Sequence, residues 1–600
     1  MADIDYTIID GDGDYSDWIE IYNTSLEDVM LTGWTLSDDS TNLQKWYLPA
    51  HTLPANSYIL IFASGKDSIA ENEFHANFKL SAAGEYLALS APDSSIINEF
   101  KPAYPAQETD VSYSYFDGSY YETITPTPGS ENIITENPAV VAPVFNFPHG
   151  FYENSFYLKM TADGLTKDIY YTTDGSEPSP TNGMLYSDSI EISTTTIIRA
   201  VAVLNDSLSK VNTATYLFLE DVINQPNNPP GYPDMWGPYH AIAGTAIADY
   251  EMDPEITQDA QWADVMDDAL RALPTMSIVT KKGNLFSHTI DPDTGGIYIY
   301  TGDADDDPDR QPGLGWERPV SVEYFTVDGS KSFQVDCGLR IHGGHSRRPE
   351  KEPKHSFRLA FRSMYGLAKL HFPLFANGST ETFNTLVLRA GFGNEMTHHS
   401  HYERIKTQYI RDEWTKQTQL DMGNPSGHGG YVHLYLNGIY WGIYNPTERL
   451  DDDFAQTYYG GQEENFDIIK DYTEVVEGNL DAWNAMKSIA NAGLADDANY
   501  QRIQGNNPDG TRNPDYPVYL DIVNFIDYMI LNYFGANSDW DHHNWAAIRD
   551  RSNPDKGFQF YSWDSEHMVK QINDNNLDRN NDGKPTGLFN LLAQNEKFKK

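Results

Sequence analysis

The chain has 600 residues, which at about 100–200 residues per domain predicts three or four domains. Its hydrophobic content of 40% and aromatic content of 13% are sufficient for packed cores and exclude disorder of the whole chain. Its 41 basic and 88 acidic residues give a formal net charge of −47, which repels nucleic acid and anionic membrane surfaces, so we expect neither as a partner.

The cysteine count, the longest apolar runs and the N-terminal sequence bear on where the protein is located. Cys337 is the only cysteine in the sequence, so an intrachain disulfide is excluded. No run of about 18 apolar residues is present, and we therefore expect no membrane span. The first residues have neither a basic nor an apolar segment of a signal peptide. We interpret the chain as an extracellular or cell-surface protein whose signal peptide has been removed, with a cytoplasmic protein as the open alternative.

Residues 1–135 are predicted to form an all-β sandwich. Short apolar or alternating runs recur between segments rich in Gly, Asn, Asp and Ser, which is typical of small sandwiches. The runs lie at 18–22, 34–36, 58–62 and 86–89. The sequences DWIEIYN (17–23), LTGWTLSDD (31–39) and YILIFASGKD (58–67) are similar to the lamin tail domain, an immunoglobulin-like module.

A second β-sandwich is predicted for residues 142–220. Tyr170–Thr173 is interpreted as a strand, followed by a turn at Asp174 and Gly175 and by a buried strand over 195–203. The segment 168–203 resembles the C-terminal β-sandwich of chitobiase-type proteins, a module that carries no known chemistry of its own. Residues 221–270 begin with a stretch rich in Asn, Pro and Gly and are predicted to be a linker.

Residues 271–600 mix strand and helix patterns, which predicts an α+β domain. The segments 338–342 and 356–361 are interpreted as strands. The segment 431–444 is interpreted as a hairpin because Asn437-Gly438 is a strong signal for a two-residue turn. Apolar residues at helical spacing over 520–534 predict a helix that begins at Asp521.

Two acidic segments in this region are candidates for phosphoryl-transfer chemistry. In NSDWDHHNW (537–545), Asp539 and Asn544 have the Asp-four residues-Asn spacing of the catalytic loop of protein kinases. There the Asp accepts the proton of the attacking hydroxyl, and the Asn binds a magnesium ion. Further along, an aromatic strand ends at Asp564. Because side chains alternate along an extended chain, we expect Glu566 to face the same metal as Asp564.

An island of basic residues precedes these segments in an otherwise acidic chain. It consists of Arg340, Arg347, Arg348, Lys351, Lys354 and Arg358. Gly343 and Gly344 within it would let backbone N–H groups approach phosphate oxygens. Lys354 is a candidate point charge for the α/β-phosphates, and Arg347 or Arg358 a candidate bidentate ligand. Pairing of these residues with the excess carboxylates is the alternative.

The combination of these segments resembles the CotH kinase family of atypical protein kinases over roughly 270–600. The resemblance rests on CGLRIHGGHSRRPEKEPKHSFRLAF (337–361), FNTLVLRAGFGNE (383–395), IRDEWTKQTQLDMG (410–423), YVHLYLNGIYWGIYNPTERLD (431–451), NSDWDHHNW and WDSE. It implies ATP with Mg²⁺ or Mn²⁺ as cofactors, Lys354 as the nucleotide-binding lysine and Asp539 as the catalytic aspartate. It further implies Asn544 and Asp564 as metal ligands, with Glu448 at the acidic position that follows the hairpin.

Two departures from the family pattern bear on activity. The family usually has Asp-x-Asp where this chain has Asp564-Ser565-Glu566, and its glycine turn often reads Gly-Asn-Ser where this chain has Gly-Gly-His. Glutamate is still able to bind a metal, whereas His345 adds bulk next to the expected phosphates. If both changes are damaging, the domain is a pseudokinase.

Other candidate metal sites have weaker patterns. Asp578, Asn580 and Asp582 occupy positions 1, 3 and 5 of a calcium loop, but Phe589 stands at position 12, so a partial Ca²⁺ site and a polar loop remain equally open. Asp10, Asp12 and Asp14 alternate with glycine, and a solvated turn is favoured there over the alternative of a calcium site. The acidic run 303–309 is interpreted as a solvated face. Zinc is not expected at His398, His399 and His401, and His542 and His543 are expected to shape the catalytic loop or contact substrate.

The sequence as a whole therefore predicts a multidomain protein with two N-terminal all-β immunoglobulin-like sandwiches followed by an α+β atypical protein-kinase-like domain. The first functional hypothesis is transfer of the ATP γ-phosphoryl group to a protein Ser or Thr hydroxyl. The second is a non-catalytic adhesin that binds surface components, matrix or glycans through a pseudokinase scaffold. A polysaccharide hydrolase that uses Asp539 and Asp564 is a third hypothesis, which would leave Lys354 without a role.

Overall fold

The structure is a computed structural model, and it does not describe every residue of the chain. It describes residues 1–600 except 3, 5, 6, 71, 72, 83, 106, 108, 109, 117, 118, 124, 133–139, 163–167, 205, 206, 237–245, 290, 292, 293, 299–315, 348, 350, 363, 376, 377, 394, 395 and 472. The chain divides into two compact units, Met1–Val140 with Phe361–Ala368 and Val141–Ala360 with Lys369–Lys600. Within the described residues, no helix is long and apolar enough to cross a membrane.

The first unit contains the predicted N-terminal β-sandwich. Its strands are β1 (Trp18–Tyr22), β2 (Val29–Met30), β3 (Thr35–Ser37), β4 (Trp46–Tyr47), β5 (Thr52–Leu53), β6 (Tyr58–Phe62), β7 (Ser68–Ala70), β8 (Glu73–His75), β9 (Leu87–Ser90), β10 (Ile96–Phe100), β11 (Ser112–Phe116) and β12 (Ser119–Thr123). Two four-stranded sheets, in the orders β1-β6-β8-β7 and β10-β9-β3-β4, supply the buried side chains of Leu36, Ile61 and Phe74 to one core. Alternating apolar residues thus form the sandwich that the sequence predicts.

The acidic turn at the start of this unit is neutralised by a lysine. The Nζ atom of Lys66 lies 2.7 Å from Asp10, 2.8 Å from Asp12 and 2.9 Å from Asp14. The backbone N–H groups of Asp12 and Asp14 also donate to Asp10 Oδ1. The turn is therefore held by an ammonium group and by its own backbone, rather than being only solvated.

The second unit begins with the second predicted sandwich. Its strands are β13 (Val144–Phe145), β14 (Gly150–Phe151), β15 (Phe156–Leu158), β16 (Met160–Thr161), β17 (Asp168–Thr172), β18 (Met184–Leu185), β19 (Ile190–Ile192), β20 (Thr196–Leu204), β21 (Ser207–Leu208) and β22 (Asn212–Leu217). The long strand β20 corresponds to the buried strand expected from the sequence, and it pairs with β17, β21 and β22. Leu158, Ile198 and Tyr216 are buried in its core.

The segment predicted as a linker contains short elements that pack on their neighbours. These are α1 (Leu219–Ile223), β23 (Met235–Trp236), β24 (Ala246–Ile247), α2 (Pro254–Thr257) and α3 (Met266–Arg271). Val222 and Leu270 belong to one buried cluster with Phe325 and Tyr435 of the following domain. This burial of apolar surface fixes the segment against the second unit instead of leaving it as an extended connection.

A closed seven-stranded barrel follows. The elements of this region are β25 (Thr275–Val279), α4 (Lys282–Phe286), β26 (Arg318–Phe325), β27 (Ser332–His342), β28 (Ser356–Ala360), β29 (Leu370–His371), β30 (Thr382–Phe383), β31 (Thr385–Arg389), α5 (His401–Arg404), α6 (Arg411–Asp421), β32 (Val432–Leu436) and β33 (Ile439–Glu448). The barrel order is β25-β26-β27-β28-β31-β33-β32. The predicted hairpin is the β32–β33 pair, and positive φ angles of 50° at Asn437 and 81° at Gly438 form its two-residue turn.

A buried polar network joins the barrel to the second sandwich. The carboxylate of Glu323 on β26 is fully buried and accepts hydrogen bonds from the N–H and hydroxyl of Thr215 on β22. Thr215 Oγ1 also lies 2.8 Å from Ser277 Oγ, and His149 Nδ1 lies 2.8 Å from Glu323 Oε1. A buried carboxylate is stable only when its oxygens are paired, so this network ties the two domains together.

The C-terminal region contains a four-stranded sheet and five of the eleven α-helices of the described residues. Its elements are α7 (Asp452–Tyr459), β34 (Phe466–Lys470), β35 (Glu474–Glu477), α8 (Asp481–Asn491), α9 (Asp497–Ile503), α10 (Ile522–Phe534), β36 (Trp545–Asp550), β37 (Gln559–Ser562) and α11 (Pro585–Leu592). The sheet order is β35-β34-β36-β37. As predicted, Asp521 caps helix α10, because its Oδ1 atom accepts from the N–H of Asn524.

Candidate active site

The centre of the candidate site is the guanidinium group of Arg389, at the end of barrel strand β31. Arg389 is buried and forms ion pairs with Asp564 and Glu566, and its Nε atom lies 3.4 Å from Asp412 Oδ2. Asp412 is on helix α6, whereas Asp564 and Glu566 follow strand β37 of the C-terminal sheet. One cation therefore joins the barrel, the helix and the sheet through three carboxylates.

Helix α6 fixes the segment that carries two of these carboxylates. Asp412 Oδ1 accepts from the N–H of Ser565 at 2.8 Å, and Asp412 Oδ2 lies 2.7 Å from Lys416 Nζ. One turn further along, the side chain of Gln419 donates to the carbonyl of Phe560 and accepts from the N–H of Ser562. The helix thus holds the end of β37 through both backbone and charged contacts.

The backbone between Asp564 and Glu566 is not extended, and the alternation argument made from the sequence is wrong in this respect. Strand β37 ends at Ser562, Asp564 has left-handed angles of φ 51° and ψ 49°, and Ser565–His567 form a 3₁₀ turn. Both acidic side chains nevertheless reach Arg389. The Asp564 side chain is 43% exposed, compared with 6% for that of Glu566, so Asp564 is the more accessible carboxylate.

Burial and charge act against each other at this cluster. Burial raises the pKa of Glu566 to about 8, although the Arg389 charge lowers it. Burial also raises the pKa of Asp412, but the charges of Arg389 and Lys416 outweigh it and leave this pKa well below its ordinary value. Burial acts to lower the pKa of Arg389, but the three neighbouring carboxylates raise it by a larger amount. Its pKa therefore lies well above the ordinary value, and the guanidinium stays charged.

Asp539 and Asn544, which the sequence predicts as partners, lie together in the loop between α10 and β36. Asn544 Nδ2 donates to the carbonyl of Asp539 at 2.9 Å and to its Oδ2 atom at 3.2 Å. The backbone of Asn544 is left-handed, with φ 64°, and its N–H donates to Asp471 Oδ1 at 2.7 Å. The negative charge of Asp564 contributes to a raised pKa of Asp471, behind the larger effect of burial.

Two histidines of the same loop face Asp539. His542 Nε2 lies 3.7 Å from Asp539 Oδ1, and His543 Nε2 lies 3.3 Å from Asp539 Oδ2. Burial raises the pKa of Asp539, but the hydrogen bond and charge of His543, with the charges of His567 and His542, outweigh it and lower the pKa to about 2. Asp539 is therefore a carboxylate at neutral pH.

Asp541, between these residues, anchors the loop to helix α11. Its side chain is fully buried, and it accepts from Asn581 Nδ2 at 2.5 Å and from the N–H of Thr586 at 2.7 Å. These contacts satisfy a donor of the first turn of α11. The catalytic-loop candidate is thus positioned by residues about 40 positions later in the chain.

The loop that the sequence predicts as a partial calcium site lies at the protein surface. Asp578, Asn580 and Asp582 are all exposed. Over the described residues, the groups of three or more acidic, histidine or cysteine side chains that could share an ion are Asp539 with His542 and His543, and Asp10 with Asp12 and His75. Neither group includes Asp578 or Asp582.

The predicted basic island divides into residues with different environments. Arg340 forms an ion pair with buried Glu317, which is the internal pairing left open by the sequence. Lys354 Nζ donates to the carbonyl of Ile443 at 2.6 Å and lies 4.7 Å from the ring centre of Tyr444. Arg347 is buried and Arg358 is half-buried. Arg348 and the side chain of His345 lie outside the described residues.

The glycine turn leaves room on one side. Gly343 has φ 108°, and a Cβ atom there would come within 2.2 Å of Ser346 Oγ, so the position requires glycine. At Gly344, by contrast, no atom of the described residues beyond its chain neighbours lies within 4 Å of the position of a Cβ atom. The backbone at Gly344 is therefore open to a ligand.

His342, at the end of β27, is under the electrostatic influence of four cationic side chains. Its pKa is lowered well below the ordinary value by burial and then by the charges of Arg358, Arg449, Arg389 and Lys470. Arg358 and Arg389 lie on barrel strands, Arg449 follows barrel strand β33, and Lys470 lies on β34 of the C-terminal sheet. In a chain of charge −47, such a concentration of positive charge suits an anionic ligand.

Glu448 and a small cavity complete the site region. Glu448 is buried, and it accepts from the N–H of His428 at 2.7 Å and from the hydroxyl of Tyr458 at 2.6 Å. Its described contacts are therefore internal to the protein. Next to Arg389 and Glu566 lies a cavity of about 20 Å³, enough for one water molecule.

The comparison with protein families agrees with this arrangement. Residues 339–600 match the family model described as CotH kinase protein. The C-terminal region is therefore similar to the CotH kinase family. Residues 3–102 match the Lamin Tail Domain model, and residues 158–216 match the model described as Fn3 associated. A search of curated proteins found no match.

Most of the family and fold predictions are confirmed by these matches. The CotH kinase domain and the lamin tail domain are those expected from the sequence, and the multidomain fold class is also confirmed. The second sandwich, compared above with the chitobiase type, is matched by the Fn3 associated model. The match to the CotH kinase model suggests a kinase-like fold for this region.

Sequence reasoning did not single out the residues at the centre of this site. Arg389, Asp412 and Lys416 lie in segments that resemble the family, but the sequence predicts no role for them or for Asp471. A signal was available for Arg389, because a single cation ends an otherwise apolar strand, TLVLR. For Asp471, which the fold brings to Asn544 from 73 positions away, no local signal existed.

Proposed function

We propose that the CotH kinase domain transfers the γ-phosphoryl group of ATP to a Ser or Thr hydroxyl of a protein. The observation that carries the proposal is the contact of Arg389 with both Asp412 and Asp564. In protein kinases a cation on a barrel strand pairs with an acidic residue of the following helix, and a metal-binding Asp must be in place beside them. Strand β31, helix α6 and the β37 turn supply the same three parts in the same chain order.

In this proposal, Arg389 takes the part that the sequence assigned to Lys354. Arg389 lies on the strand immediately before α6, whereas Lys354 precedes β28 and donates to the carbonyl of Ile443. A guanidinium presents a planar set of donors that binds carboxylate and phosphate oxygens bidentately. Arg389 would therefore contact the nucleotide phosphates while it orients Asp564. The role of Lys354 in nucleotide binding remains a prediction.

The residues of the loop give the proposal its chemistry. Asp539 is ionised at neutral pH and 39% exposed, so it is able to accept a hydrogen bond from a substrate hydroxyl and orient it. Asn544 fixes the Asp539 carboxylate by donating to it. Phosphoryl transfer requires little else than positioning and charge neutralisation, which these rigidly held groups supply.

The oxygen donors near Asp564 fit a magnesium or manganese ion. The half-exposed carboxylate of Asp564 and the amide of Asn544 are the hard oxygen ligands that such ions prefer. When bound, the ion neutralises charge on the phosphate oxygens. Glu566 is buried against Arg389, and we propose that it holds this arginine in place rather than binding the ion.

The basic residues around His342 support nucleotide binding. Arg358, Arg449 and Lys470 are close enough to lower the pKa of His342, and the backbone at Gly344 is open. Cations in a cleft with low-dielectric walls attract a polyanion from a distance. We propose that this region, called the cationic cleft here, holds the triphosphate.

The test is incorporation of labelled phosphate from ATP into the protein itself or into a general acceptor protein. Asp539→Asn should lower the rate about 100-fold or more, because general acid–base groups contribute at least that much. The dissociation constant of a fluorescent ATP analogue should change by less than about twofold, which corresponds to a change in binding free energy below about 0.5 kcal/mol. Asp515→Asn, at an exposed acidic position, is the matched control. Equal incorporation by Asp539→Asn and the control would refute the proposal.

A second candidate function is glycan binding by the lamin tail domain, and a cavity in that domain favours it. The cavity has a volume of about 920 Å³. Its lining includes the stacked pairs Tyr22 with Tyr58 and Tyr113 with Tyr120. Aromatic faces combined with a few polar groups, here Glu20 among others, are common in sites that bind small molecules and suit sugar rings.

Affinity electrophoresis in gels that contain soluble polysaccharides tests this candidate. Binding should retard the wild-type protein, and Tyr58→Ala should abolish the retardation. Tyr157→Ala, at a tyrosine of the second sandwich that is 58% exposed, is the control. Equal retardation of both variants in every gel would contradict a glycan site in this cavity.

We also propose a location, partners and a domain organisation for the protein. We place the protein outside the cell or on its surface, with protein substrates, surface components or matrix as partners. For its organisation we propose a lamin tail domain over 1–135, a second sandwich over 142–220, a packed connection over 221–270 and the kinase domain over 271–600.

A further inference from the structure

We propose that Asp539, His542 and His543 form a binding site for a zinc-like divalent ion, which removes Asp539 from the phosphoryl-transfer site. The three side chains belong to one short loop, and one ligand atom of each lies within 4.8 Å of those of the other two. The inference rests in part on the proposed function, because its regulatory consequence requires Asp539 to act on a substrate hydroxyl.

Each histidine lies at a distance from an Asp539 carboxylate oxygen that suits a shared zinc ion. Zinc–nitrogen and zinc–oxygen bonds of about 2.0–2.2 Å place neighbouring ligand atoms of a tetrahedral site about 3.3–3.5 Å apart. The distances are 3.3 Å between His543 Nε2 and Asp539 Oδ2 and 3.7 Å between His542 Nε2 and Asp539 Oδ1. The two distances end on the two oxygens of one carboxylate, and one ligand atom of each of the three residues lies within 4.8 Å of the others.

The loop also leaves access for an ion. The side chains of Asp539, His542 and His543 are 39%, 47% and 28% exposed. Three protein ligands with a fourth position open to water are the pattern of exchangeable zinc sites, as opposed to closed structural ones. The backbone on either side is fixed, because buried Asp541 is held by Thr586 and the Asn544 N–H by Asp471. Such preorganisation lowers the entropic cost of collecting the ligands.

The ligand types select the ion. Two imidazoles and one carboxylate favour Zn²⁺, Co²⁺, Ni²⁺ or Cu²⁺ over Mg²⁺, which prefers an all-oxygen octahedral site. The oxygen donors of Asp564 and Asn544 described above are therefore expected to keep Mg²⁺ while the histidine site takes the softer ion. With its carboxylate bound to the ion, Asp539 would no longer accept the proton of a substrate hydroxyl. Zinc would thus inhibit transfer without displacing the nucleotide.

The first experiment measures zinc binding without nucleotide. The full chain is treated with a chelator, dialysed and titrated with ZnCl₂ by isothermal calorimetry, in parallel with His542→Ala, His543→Ala and the control His371→Ala. His371 is an exposed histidine of the barrel domain. Wild type and control should bind one more zinc ion than either loop variant, or bind it at least about tenfold more tightly. Equal uptake by all four proteins would overturn the site and identify surface carboxylates as the ligands.

A second readout separates ligation from a general loss of structure. Co²⁺ in a four-coordinate site gives strong visible absorption, whereas six-coordinate Co²⁺ on surface carboxylates absorbs weakly. The wild-type protein should show the strong bands and lose them on addition of Zn²⁺, and both loop variants should lack them at an unchanged thermal midpoint. A wild-type spectrum of only weak bands would overturn the proposed geometry.

The final experiment links the site to transfer and keeps the two proposals distinguishable. At saturating Mg-ATP, one equivalent of Zn²⁺ should inhibit wild-type transfer, and His542→Ala should need at least about tenfold more Zn²⁺ for the same inhibition. If zinc binding depends on the histidines but no protein transfers phosphate, the proposed function fails and the metal site stands. If transfer occurs and zinc binding is indifferent to the histidines, the metal site fails and the proposed function stands.

Discussion

Arg389 forms an ion pair with Asp564, which lies 175 positions later in the chain. The contact joins the last residue of a barrel strand to a turn that follows the C-terminal sheet. Asp412 and Glu566 share the same guanidinium, so the arginine is the common partner of three acidic groups. The relative position of the barrel and the sheet in this unit therefore depends on one buried cation.

Replacement of Arg389 tests this dependence. Arg389→Met should lower the free energy of unfolding by about 3–5 kcal/mol, because loss of one member of a buried ionic group leaves the other charges uncompensated. Arg389→Lys keeps the charge but loses the second donor arm, and it should cost less. Chemical denaturation with a tryptophan fluorescence readout measures both. A cost of Arg389→Met below about 1 kcal/mol, the value typical of exposed pairs, would contradict a buried cluster.

Asp541 is expected to matter for stability without touching substrate. Asp541→Ala leaves the N–H of Thr586 and the amide of Asn581 without their acceptor, at a cost of about 2–4 kcal/mol for two buried hydrogen bonds to a charged group. Helix α11 should then exchange its amide hydrogens faster, as measured by hydrogen exchange with mass spectrometry. The exposed residue Asp582, on the neighbouring loop, provides the control Asp582→Ala. Unchanged exchange in α11 would rule out the anchoring role.

Because His355 is buried, we expect the free energy of unfolding to depend on pH. Burial, with the charge of Arg347, lowers its pKa from 6.5 to about 4, although the hydrogen bond to the Ser346 carbonyl opposes this. The unfolded chain therefore takes up a proton below pH 6.5 while the folded protein does not. The contribution to stability is complete above pH 6.5 and is lost as the pH falls towards 4.

The measurement for His355 compares wild type with His355→Gln, which does not titrate. Between pH 7.5 and 5.5, the stability of wild type relative to the variant should fall by about 1.4 kcal/mol, the equivalent of one pKa unit. Urea denaturation at the two pH values gives the difference. An identical pH response of the two proteins would show that His355 titrates normally.

The second sandwich approaches the barrel closely at Gly175, and a substitution there tests this contact. The residue has φ 82°, and a Cβ atom there would come within 2.2 Å of the carbonyl oxygen of Thr280 on the neighbouring barrel strand end. Gly175→Ala should therefore cost about 1–3 kcal/mol of overpacking in addition to the cost of a left-handed alanine. Gly423→Ala, at φ 84° with no atom within 4 Å, isolates the backbone cost. Equal thermal midpoints of the two variants would contradict the close approach.

Local signals explain which parts of the fold were predictable. The β32–β33 hairpin follows from Asn437-Gly438, whose residues tolerate positive φ, and helix α10 follows from an Asp cap before an apolar repeat. Asp539 and Asn544 were predictable as partners because they lie five positions apart in one loop. In each case the information is contained in a few consecutive residues.

The rest depended on long-range order that no short segment contains. The ion pair of Arg389 with Asp564 depends on which strand precedes helix α6 in the barrel, and the nucleotide-binding role of Lys354 stays a prediction. Asp564 has a left-handed backbone, so side chains do not alternate from Asp564 to Glu566 as in an extended strand. This conformation accompanies long-range contacts such as the hydrogen bond from the N–H of Ser565 to Asp412. Asp471 reaches Asn544 only because β34 and β36 pair.

The buried carboxylate of Glu323 limits how the kinase domain can be separated from the rest of the protein. A shortened chain that began at residue 271 would lack Thr215 and His149, and Glu323 would face solvent beside an apolar surface without its donors. We expect such a fragment to be poorly soluble, whereas one that starts near residue 141 keeps the donors. We therefore expect that transfer of this C-terminal module to another protein by recombination would have to include the preceding sandwich.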